Sequence, residues 1–218
     1  MKFSIKKEIL LEALNKVSKA ISTKNEIPVL AGIKFHLTKK KLTLTASDND
    51  ITIETSIPCD NENIILREEG SIIIQGKYIL DIVRKLPDPF INIEVVDDLK
   101  ILIYTENSEF NLNGISEKEY PSIELVESKY HIELSKTLLK EIVNQTAFAT
   151  SIDENKAILN GINFNIIGNI LECNATDSYR LARKVIPLST SSEENMNIVI
   201  PSRNLVEFTK ILGEGDEK

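Results

Sequence analysis

The sequence predicts an α+β protein built from duplicated strand-helix-three-strand units, with the helices on one face of antiparallel sheets. Three observations lead there. The stretch from Ile9 to Ile53 recurs at a shift of 129 without a gap, so that Leu30-Ala31-Gly32-Ile33 falls on Leu159-Asn160-Gly161-Ile162 and Ala46-Ser47-Asp48 on Ala175-Thr176-Asp177. At the same shift Ile9, Leu10, Ala13, Ala20, Phe35, Leu42 and Leu44 meet Leu138, Leu139, Ile142, Ala149, Phe164, Leu171 and Cys173. An ungapped register over roughly fifty residues marks a duplicated domain. Four segments have helical spacing, and nearly all the remainder alternates with period two. Alternation with one polar face belongs to antiparallel sheet rather than to the continuous apolar strands of a parallel one.

Met1-Lys2-Phe3-Ser4 alternates like a strand. The first helix runs from about Lys6 to Ile21, with Ile9, Leu10, Ala13, Leu14 and Val17 on one face. Three strands follow, with Ile33, Phe35 and Leu37 on one face, then Leu42, Leu44 and Ala46, then Ile51 and Ile53. The second helix, Lys77 to Leu86, carries Ile79, Ile82, Val83 and Leu86 and is closed by Pro87. Ile91–Val96, Lys100–Thr105 and Glu109–Leu112 are the next strands, with a turn at Asp97-Asp98. A third helix starts at Ser135, an N-cap residue type, and buries Leu138, Leu139, Ile142 and Val143. Ile162, Phe164 and Ile166 form one strand face; Leu171, Cys173 and Ala175 the next, after a Gly168-Asn169 turn; Leu181, Arg183 and Val185 a third. The fourth helix follows Pro201-Ser202 with Leu205, Phe208, Ile211 and Leu212, and Gly213 is a stop signal.

With 218 residues the repeat implies two domains, 1–128 and 129–218. The second reaches its second helix and ends at 213–218, without the three strands the repeat demands. The expectation is a fragment whose second domain is incomplete, with open sheet edges that favour association. Apolar content of 42% supports real cores, and 27% charged residues a soluble surface. The start has no long apolar run, so no signal peptide and no membrane span are expected. Cys59 and Cys173 occupy non-equivalent places in the repeats. Two cysteines make neither a disulfide framework nor a zinc site, and the expected compartment is a reducing cytoplasm.

A net charge of −7 argues against a polyanionic partner until its distribution is considered. The four helices hold eleven basic residues (Lys6, Lys7, Lys16, Lys19, Lys77, Arg84, Lys85, Lys136, Lys140, Arg203, Lys210) against five acidic ones (Glu8, Glu12, Asp81, Glu141, Glu207). They therefore carry +6 and everything else −13. Basic helices on an acidic body suit a polyanion held on one surface, although exposed helix faces are often Lys-rich for solubility alone. There is no zinc-finger spacing, recognition helix or aromatic platform, which leaves phosphate contacts without sequence information.

Several motifs resemble the bacterial DNA polymerase III beta subunit, the sliding-clamp family. They are Met1-Lys2-Phe3-Ser4, Ile27-Pro28-Val29-Leu30-Ala31-Gly32-Ile33, Thr45-Ala46-Ser47-Asp48, Asn111-Leu112-Asn113-Gly114 and Tyr120-Pro121 in the first half. Phe148-Ala149-Thr150-Ser151, Leu159-Asn160-Gly161-Ile162, Ala175-Thr176-Asp177-Ser178-Tyr179-Arg180-Leu181-Ala182 and Ile200-Pro201-Ser202-Arg203 follow in the second. The resemblance covers the whole chain in order, and Thr176 to Leu181 is its most specific part. It implies the DNA clamp fold, three domains per complete chain with the third missing here, and two chains closed head to tail around duplex DNA. The implied partners are DNA, the replicative polymerase's catalytic subunit, the clamp loader and repair proteins. No cofactor, metal or catalytic residue is implied; polymerase activity belongs to the holoenzyme.

By that resemblance Lys24 sits in a DNA-contacting loop, and Lys77, Arg84, Lys136, Lys140, Arg203 and Lys210 are candidates for the DNA-facing surface. Lys77 and Arg84 are seven apart on one helix side, as are Arg203 and Lys210, and Lys136 and Lys140 are four apart. Leu159, Thr176, Ser178, Tyr179, Arg180 and Leu181 match a partner-peptide pocket, the two leucines as apolar floor and Thr176 and Arg180 as polar holders. The same stretch is also good hairpin-turn chemistry, and both readings hold together. The family's pocket also draws on the third domain, so weak peptide binding is expected of this fragment. Tyr78, Ile82, Phe110 and Leu112 resemble ring-closing contacts, closure that the fragment alone lacks a partner surface for. Ala157 and Ile158 depart from the family pattern.

Two rival readings remain. A nuclease-like metal site would use Asp48, Asp50 and Asp177, but Asp48 and Asp177 occupy equivalent repeat positions, and His36 and His131 stand alone. The other rival is a non-catalytic β-rich protein-interaction scaffold with no DNA role.

Overall fold

The computed structural model describes residues 1–21, 27–97, 99–123, 132–188 and 195–213. The chain divides into two compact units, Met1–Leu125 and Val126–Lys218. Unit 1 begins with β1 (Lys2–Lys6) and α1 (Lys7–Val17), continues through β2 (Gly32–Leu37), β3 (Lys41–Ser47), β4 (Thr52–Pro58), β5 (Ile64–Glu68) and β6 (Gly70–Gln75), and after α2 (Gly76–Lys85) closes with β7 (Phe90–Val96), β8 (Lys100–Tyr104) and β9 (Glu109–Asn113). Unit 2 contains α3 (Lys136–Thr146), β10 (Gly161–Ile167), β11 (Ile170–Thr176), β12 (Leu181–Pro187), β13 (Met196–Pro201) and α4 (Ser202–Thr209).

Unit 1 has two antiparallel sheets, ordered β5-β1-β7-β8-β9 and β4-β3-β2-β6. The strand before each helix belongs to the sheet that does not hold the strand after it: β1 pairs with β7 through Phe3↔Ile93, and β6 pairs with β2 through Ile33↔Ile74. Each helix thus crosses from one sheet to the other, and Phe3, Ile5, Leu14, Phe35, Leu44, Ile79, Ile93 and Ile103 join a single buried core. Unit 2 has one antiparallel sheet among the described residues, ordered β12-β11-β10-β13. Its core gathers Ile142, Phe164, Leu171, Cys173, Ala182 and Leu205. The helix packing repeats: α1 lies on β3, β4 and α2 as α3 lies on β11, β12 and α4.

The local reasons are legible in the residues. Ser135 caps α3, its side chain accepting from the Leu138 N–H at 3.2 Å. Gly168, at φ 61°, turns β10 into β11 in a left-handed conformation that glycine adopts without Cβ strain. Lys7 serves a terminus not its own: its ammonium donates to the carbonyl of Leu86 and, at 3.3 Å, to that of Arg84, satisfying orphan acceptors at the end of α2.

Several expectations are corrected. β5 (Ile64–Glu68) is an additional strand; Glu69 and Gly70 hid it by interrupting the alternation, and Gly70 sits at φ 154° where the chain enters β6. The first α-helix stops at Val17 and tightens into a 3-10 turn, Ser18–Ala20, while Lys6 lies on β1. In β12 the core face is Ala182 and Ile186; Leu181, Arg183 and Val185 face outward, a one-residue slip that exchanges the two faces of a strand. The repeat gives the right phase, since Ile53 and Ile57 fall on Ala182 and Ile186. Phe208, counted with the buried stripe of α4, is 42% exposed. Ile82, the seventh residue of α2 as Phe208 is of α4, packs on a core to which a second sheet contributes, and unit 2 has no second sheet among the described residues. Asp98 and His131 lie outside the described residues.

Candidate functional site

The hairpin between β11 and β12 is built from its own side chains. Its last rung is Thr176↔Leu181, leaving four residues in the turn. Asp177 Oδ1 accepts from the N–H groups of Tyr179 at 2.9 Å and Arg180 at 3.0 Å. Thr176 Oγ1 accepts from the Ser178 N–H at 3.1 Å and donates to the Arg180 carbonyl at 2.7 Å. Ser178 takes φ 79°. The Tyr179 and Arg180 N–H groups, with the Arg180 guanidinium beside them, hold the Asp177 carboxyl below the usual carboxylate range. The turn pushes Tyr179 to 97% exposure and leaves Leu181 at 67%.

Unit 1 makes the same turn at the shift of 129. Ser47↔Thr52 is the last rung, Asp48 Oδ1 accepts from Asp50 and Ile51 N–H, Ser47 Oγ accepts from Asn49 N–H, and Asn49 also takes φ 79°. The turn is therefore a folding device shared by both units. What sets unit 2 apart is its cargo: Ser178, Tyr179, Arg180 and Leu181 replace Asn49, Asp50, Ile51 and Thr52.

Leu159 approaches this turn from the preceding segment. The Ser151 N–H donates to the Leu159 carbonyl at 2.8 Å, closing a loop whose second part is the 3-10 stretch Glu154–Asn160. Continuing the Asn163↔Asn174 register by two residues sets Gly161 level with Thr176, so half-buried Leu159 borders the hairpin. Arg180 adds a link: its guanidinium pairs with Asp177 at 3.0 Å and lies over the Phe148 ring, 5.6 Å from the centroid. The expected polar holders, Thr176 and Arg180, are thus engaged within the turn. Sequence reasoning missed Phe148, which is 60% exposed. The signal was available, because the repeat sets it on Lys19.

The candidate DNA-facing cations fare differently. Lys24 lies outside the described residues. Lys77 and Arg84 are exposed on α2, with Arg84 Nη2 donating to Asn15 Oδ1 at 2.9 Å. Arg203 and Lys210 are exposed, Lys210 pairing with Glu207 at 2.5 Å. Lys136 and Lys140 are half-buried, and Lys140 donates to the Gly213 carbonyl at 3.0 Å. Part of the basic charge expected on the helices is consumed internally, by Lys16–Glu12 at 2.6 Å on α1 and by Lys6, which lies on β1, with Glu62 at 3.1 Å.

Tyr78 is 56% exposed on α2 and Phe110 38% exposed on β9, the edge strand of its sheet. Ile82 and Leu112 are half-buried against the unit 1 core. Asp48 and Asp177 each serve their own turn, and among the described residues no three His, Cys, Asp or Glu side chains group as metal ligands. Cys173 is buried, and burial pushes its thiol up to about 12. Among the described residues no helix is long and apolar enough to cross a membrane.

Residues 1–124 match the family model described as the DNA polymerase III beta subunit, N-terminal domain, and residues 133–218 match that of its central domain. A relative named beta sliding clamp from Halalkalibacterium halodurans is 42% identical over 222 residues, covering all of this chain and 58% of the relative. The structure of a DNA polymerase sliding clamp from Bacillus subtilis superposes with a TM-score of 0.94 at 39% identity, covering all of this chain and 58% of that one. The DNA polymerase III beta chain from Streptococcus pneumoniae gives 0.92 at 35% identity, covering 97% of this chain and 57% of that one. The chain spans under two thirds of the length of these relatives.

Proposed function

Because the chain belongs to the DNA polymerase III beta-subunit family, we propose that it is the larger part of a DNA sliding clamp, which encircles duplex DNA and tethers the replicative polymerase for processive synthesis. The ring is a head-to-tail homodimer of complete chains, with Tyr78, Ile82, Phe110 and Leu112 at the subunit contact. The chain itself catalyses nothing; it holds. The observation that carries this reading is the in-order match of both domains over nearly the whole chain, at identities well above those that speak for fold alone.

Mechanically, the inner surface must attract duplex without gripping it. Diffuse Lys and Arg contacts to phosphates do so, whereas bidentate base readout would halt sliding. Exposed Lys77, Arg84, Arg203 and Lys210, with half-buried Lys136 and Lys140 and the loop residue Lys24, are the proposed contacts. Leu159, Thr176, Ser178, Tyr179, Arg180 and Leu181 form the unit 2 part of a pocket for short peptides of the polymerase, the clamp loader and repair proteins. In that pocket Leu159 and Leu181 supply apolar contact, and the exposed Tyr179 ring and Arg180 guanidinium close over an occupant. The reading places the protein in the cytoplasm, where the chromosome is copied.

The test uses the complete protein, loaded by its clamp loader onto a nicked circular duplex. Retention on circles that disappears on linearising them supports encirclement. Lys77→Glu with Arg84→Glu is expected to flatten the salt dependence of DNA association, lowering the log–log slope by about one for each phosphate no longer neutralised. Equal retention on circular and linear DNA sinks encirclement, and no retention on either favours the protein-interaction scaffold.

A further inference from the structure

The loop that brings Leu159 to the hairpin of unit 2 is closed by one side chain, Asn160. The loop ends in a seven-residue 3-10 stretch, Glu154–Asn160. Runs of this kind longer than about three or four residues are uncommon, because their hydrogen bonds are poorly aligned. This one is broken at Lys156, whose φ of −115° and ψ of 59° lie outside the helical region. Its start is tied locally. The Asp153 N–H donates to Ser151 Oγ at 3.0 Å, Asp153 Oδ1 accepts from the Asn155 N–H at 3.1 Å, and the Lys156 N–H donates to the Asp153 carbonyl at 3.0 Å. Asn160 joins that start to the end. Three carbonyl oxygens surround its side-chain amide, so the NH2 group is the half that faces them. It donates to the carbonyls of Ser151 at 3.0 Å, Asp153 at 3.1 Å and Lys156 at 3.3 Å, two hydrogens serving three acceptors. Leu159 is thereby fixed on both sides. Its own carbonyl accepts from the Ser151 N–H at 2.8 Å, and beyond Asn160 the chain is pressed on β13, where a Cβ on Gly161 would stand 2.7 Å from the Ile200 carbonyl oxygen.

Unit 1 stiffens the corresponding turn differently. The shift of 129 sets Asn160 on Ala31, which has no side-chain donor, and Ala157 on Pro28. Pro28 opens the four-residue 3-10 turn Pro28–Ala31, a position where the missing N–H costs little and the fixed φ helps. The residue before a proline is kept out of the helical region, and Ile27 sits at φ −105° and ψ 104°. Lys156, which precedes Ala157, is outside that region as well. One copy of the turn therefore has a proline ring and no amide, the other an amide and no ring.

We propose that Asn160 is a positioning residue of the peptide site: its amide closes the loop from Ser151 to Asn160 and so fixes where Leu159 stands beside the Thr176–Leu181 turn, set to meet an apolar anchor of the partner peptide. The inference rests on the reading that the unit 2 hairpin site binds peptides. The Asn160 amide nitrogen is spent on the loop, so the residue acts through Leu159 rather than on the peptide. A loop ordered in advance spares the incoming chain the cost of ordering it, which is where the affinity comes from.

The test uses the complete protein, with the catalytic subunit of the replicative polymerase as the probe in a binding titration and amide hydrogen exchange read on the same variants. Asn160→Ala is expected to speed exchange of the Ser151 amide at least about tenfold and to weaken probe binding about tenfold, with the Phe164 and Cys173 amides of the sheet unchanged. Asn160→Asp sets a carboxylate against three carbonyl oxygens and has a larger effect in the same direction. Adding Ala157→Pro to Asn160→Ala gives unit 2 the pair that unit 1 uses. It is expected to return slow exchange and most of the affinity, a rescue that general damage to the fold would not show. Should Asn160→Asp lose its secondary structure, the alanine variant and its rescue decide. The proposal is overturned if Asn160→Ala leaves Ser151 exchange slow, or if the added proline restores neither exchange nor affinity. It is equally overturned if Asn160→Ala speeds exchange without weakening binding where Leu159→Asp does weaken it. Leu159→Asp that binds as tightly as the parent speaks against the pocket reading instead, and the exchange rates then report the loop closure by themselves.

Discussion

Units 1 and 2 share a fold down to single hydrogen bonds in their hairpin turns and differ in how much structure supports them. In unit 1 two sheets and two helices close on a core of 25 buried residues; in unit 2 one sheet and two helices close on 12 among the described residues. Equivalent surfaces then diverge. Ile73 is buried and Ile82 half-buried, while their counterparts Val199 and Phe208 are 39% and 42% exposed; Ile79 and its counterpart Leu205 are both buried. The turns differ in what they carry: Tyr179, Arg180 and Leu181 in unit 2 stand where unit 1 has Asp50, Ile51 and Thr52.

The largest expected effect comes from the paired rings Phe35 and Phe164, 0% and 3% exposed. Replacing either with alanine costs about 3–5 kcal/mol. Amide exchange read peptide by peptide is expected to show that Phe164→Ala removes protection from β10–β12, while Phe35→Ala leaves measurable protection in β1 and β7. Equal collapse of both units would break the comparison.

How much of this was legible follows the same divide. The helices, the strand faces of β2, β3, β10 and β11, and the Ser135 cap were readable because each follows a local period or a local hydrogen bond. β12 was misphased because Leu181 and Val185 are apolar on the outward side, so composition pointed to the wrong face; the repeat would have corrected it through Ile53 and Ile57. Phe208 was misplaced because helical spacing marks an apolar stripe without saying what covers it. At the site, the turn residues were readable by type. The stacking of Arg180 on Phe148 was not, since it joins positions 32 apart that no local pattern links.

Acid provides a second, smaller discrimination. Four carboxyls of unit 2 are held low: Glu141 by its bond to Lys184, Glu172 by Arg183, and Asp153 and Asp177 by backbone N–H groups. In unit 1 Asp60 is held low by the N–H of Asn63. A depressed folded-state value means that, as pH falls, the unfolded chain takes up the proton first. The stability these groups add is therefore complete above the ordinary carboxylate range and is lost as pH drops below about 4. Amide exchange between pH 5 and 3 is expected to show unit 2 losing protection before unit 1. Asp177→Asn keeps an acceptor oxygen in the turn and removes the titration, so it should narrow that gap; a wider gap would refute the assignment.

The finest test is a reciprocal exchange at the left-handed turn residues, Asn49 and Ser178, both at φ 79°. The bonds to the turn N–H groups match, and the turns differ in that Thr176 Oγ1 donates to the Arg180 carbonyl whereas Ser47 Oγ bonds Thr52 Oγ1, contacts that the exchange leaves in place. Asparagine tolerates the left-handed region because its short amide bonds locally, whereas serine meets the ordinary Cβ penalty there. Ser178→Asn is expected to stabilise unit 2 by on the order of 0.5 kcal/mol and Asn49→Ser to destabilise unit 1 by a similar amount, each a shift of about 2–4 °C in a domain of this size. Opposite signs of similar size show that the two turns are energetically as well as geometrically equivalent. If both substitutions destabilise, the Ser178 hydroxyl has a role in unit 2 that the turn does not explain, and the proposed peptide site is where that role would lie.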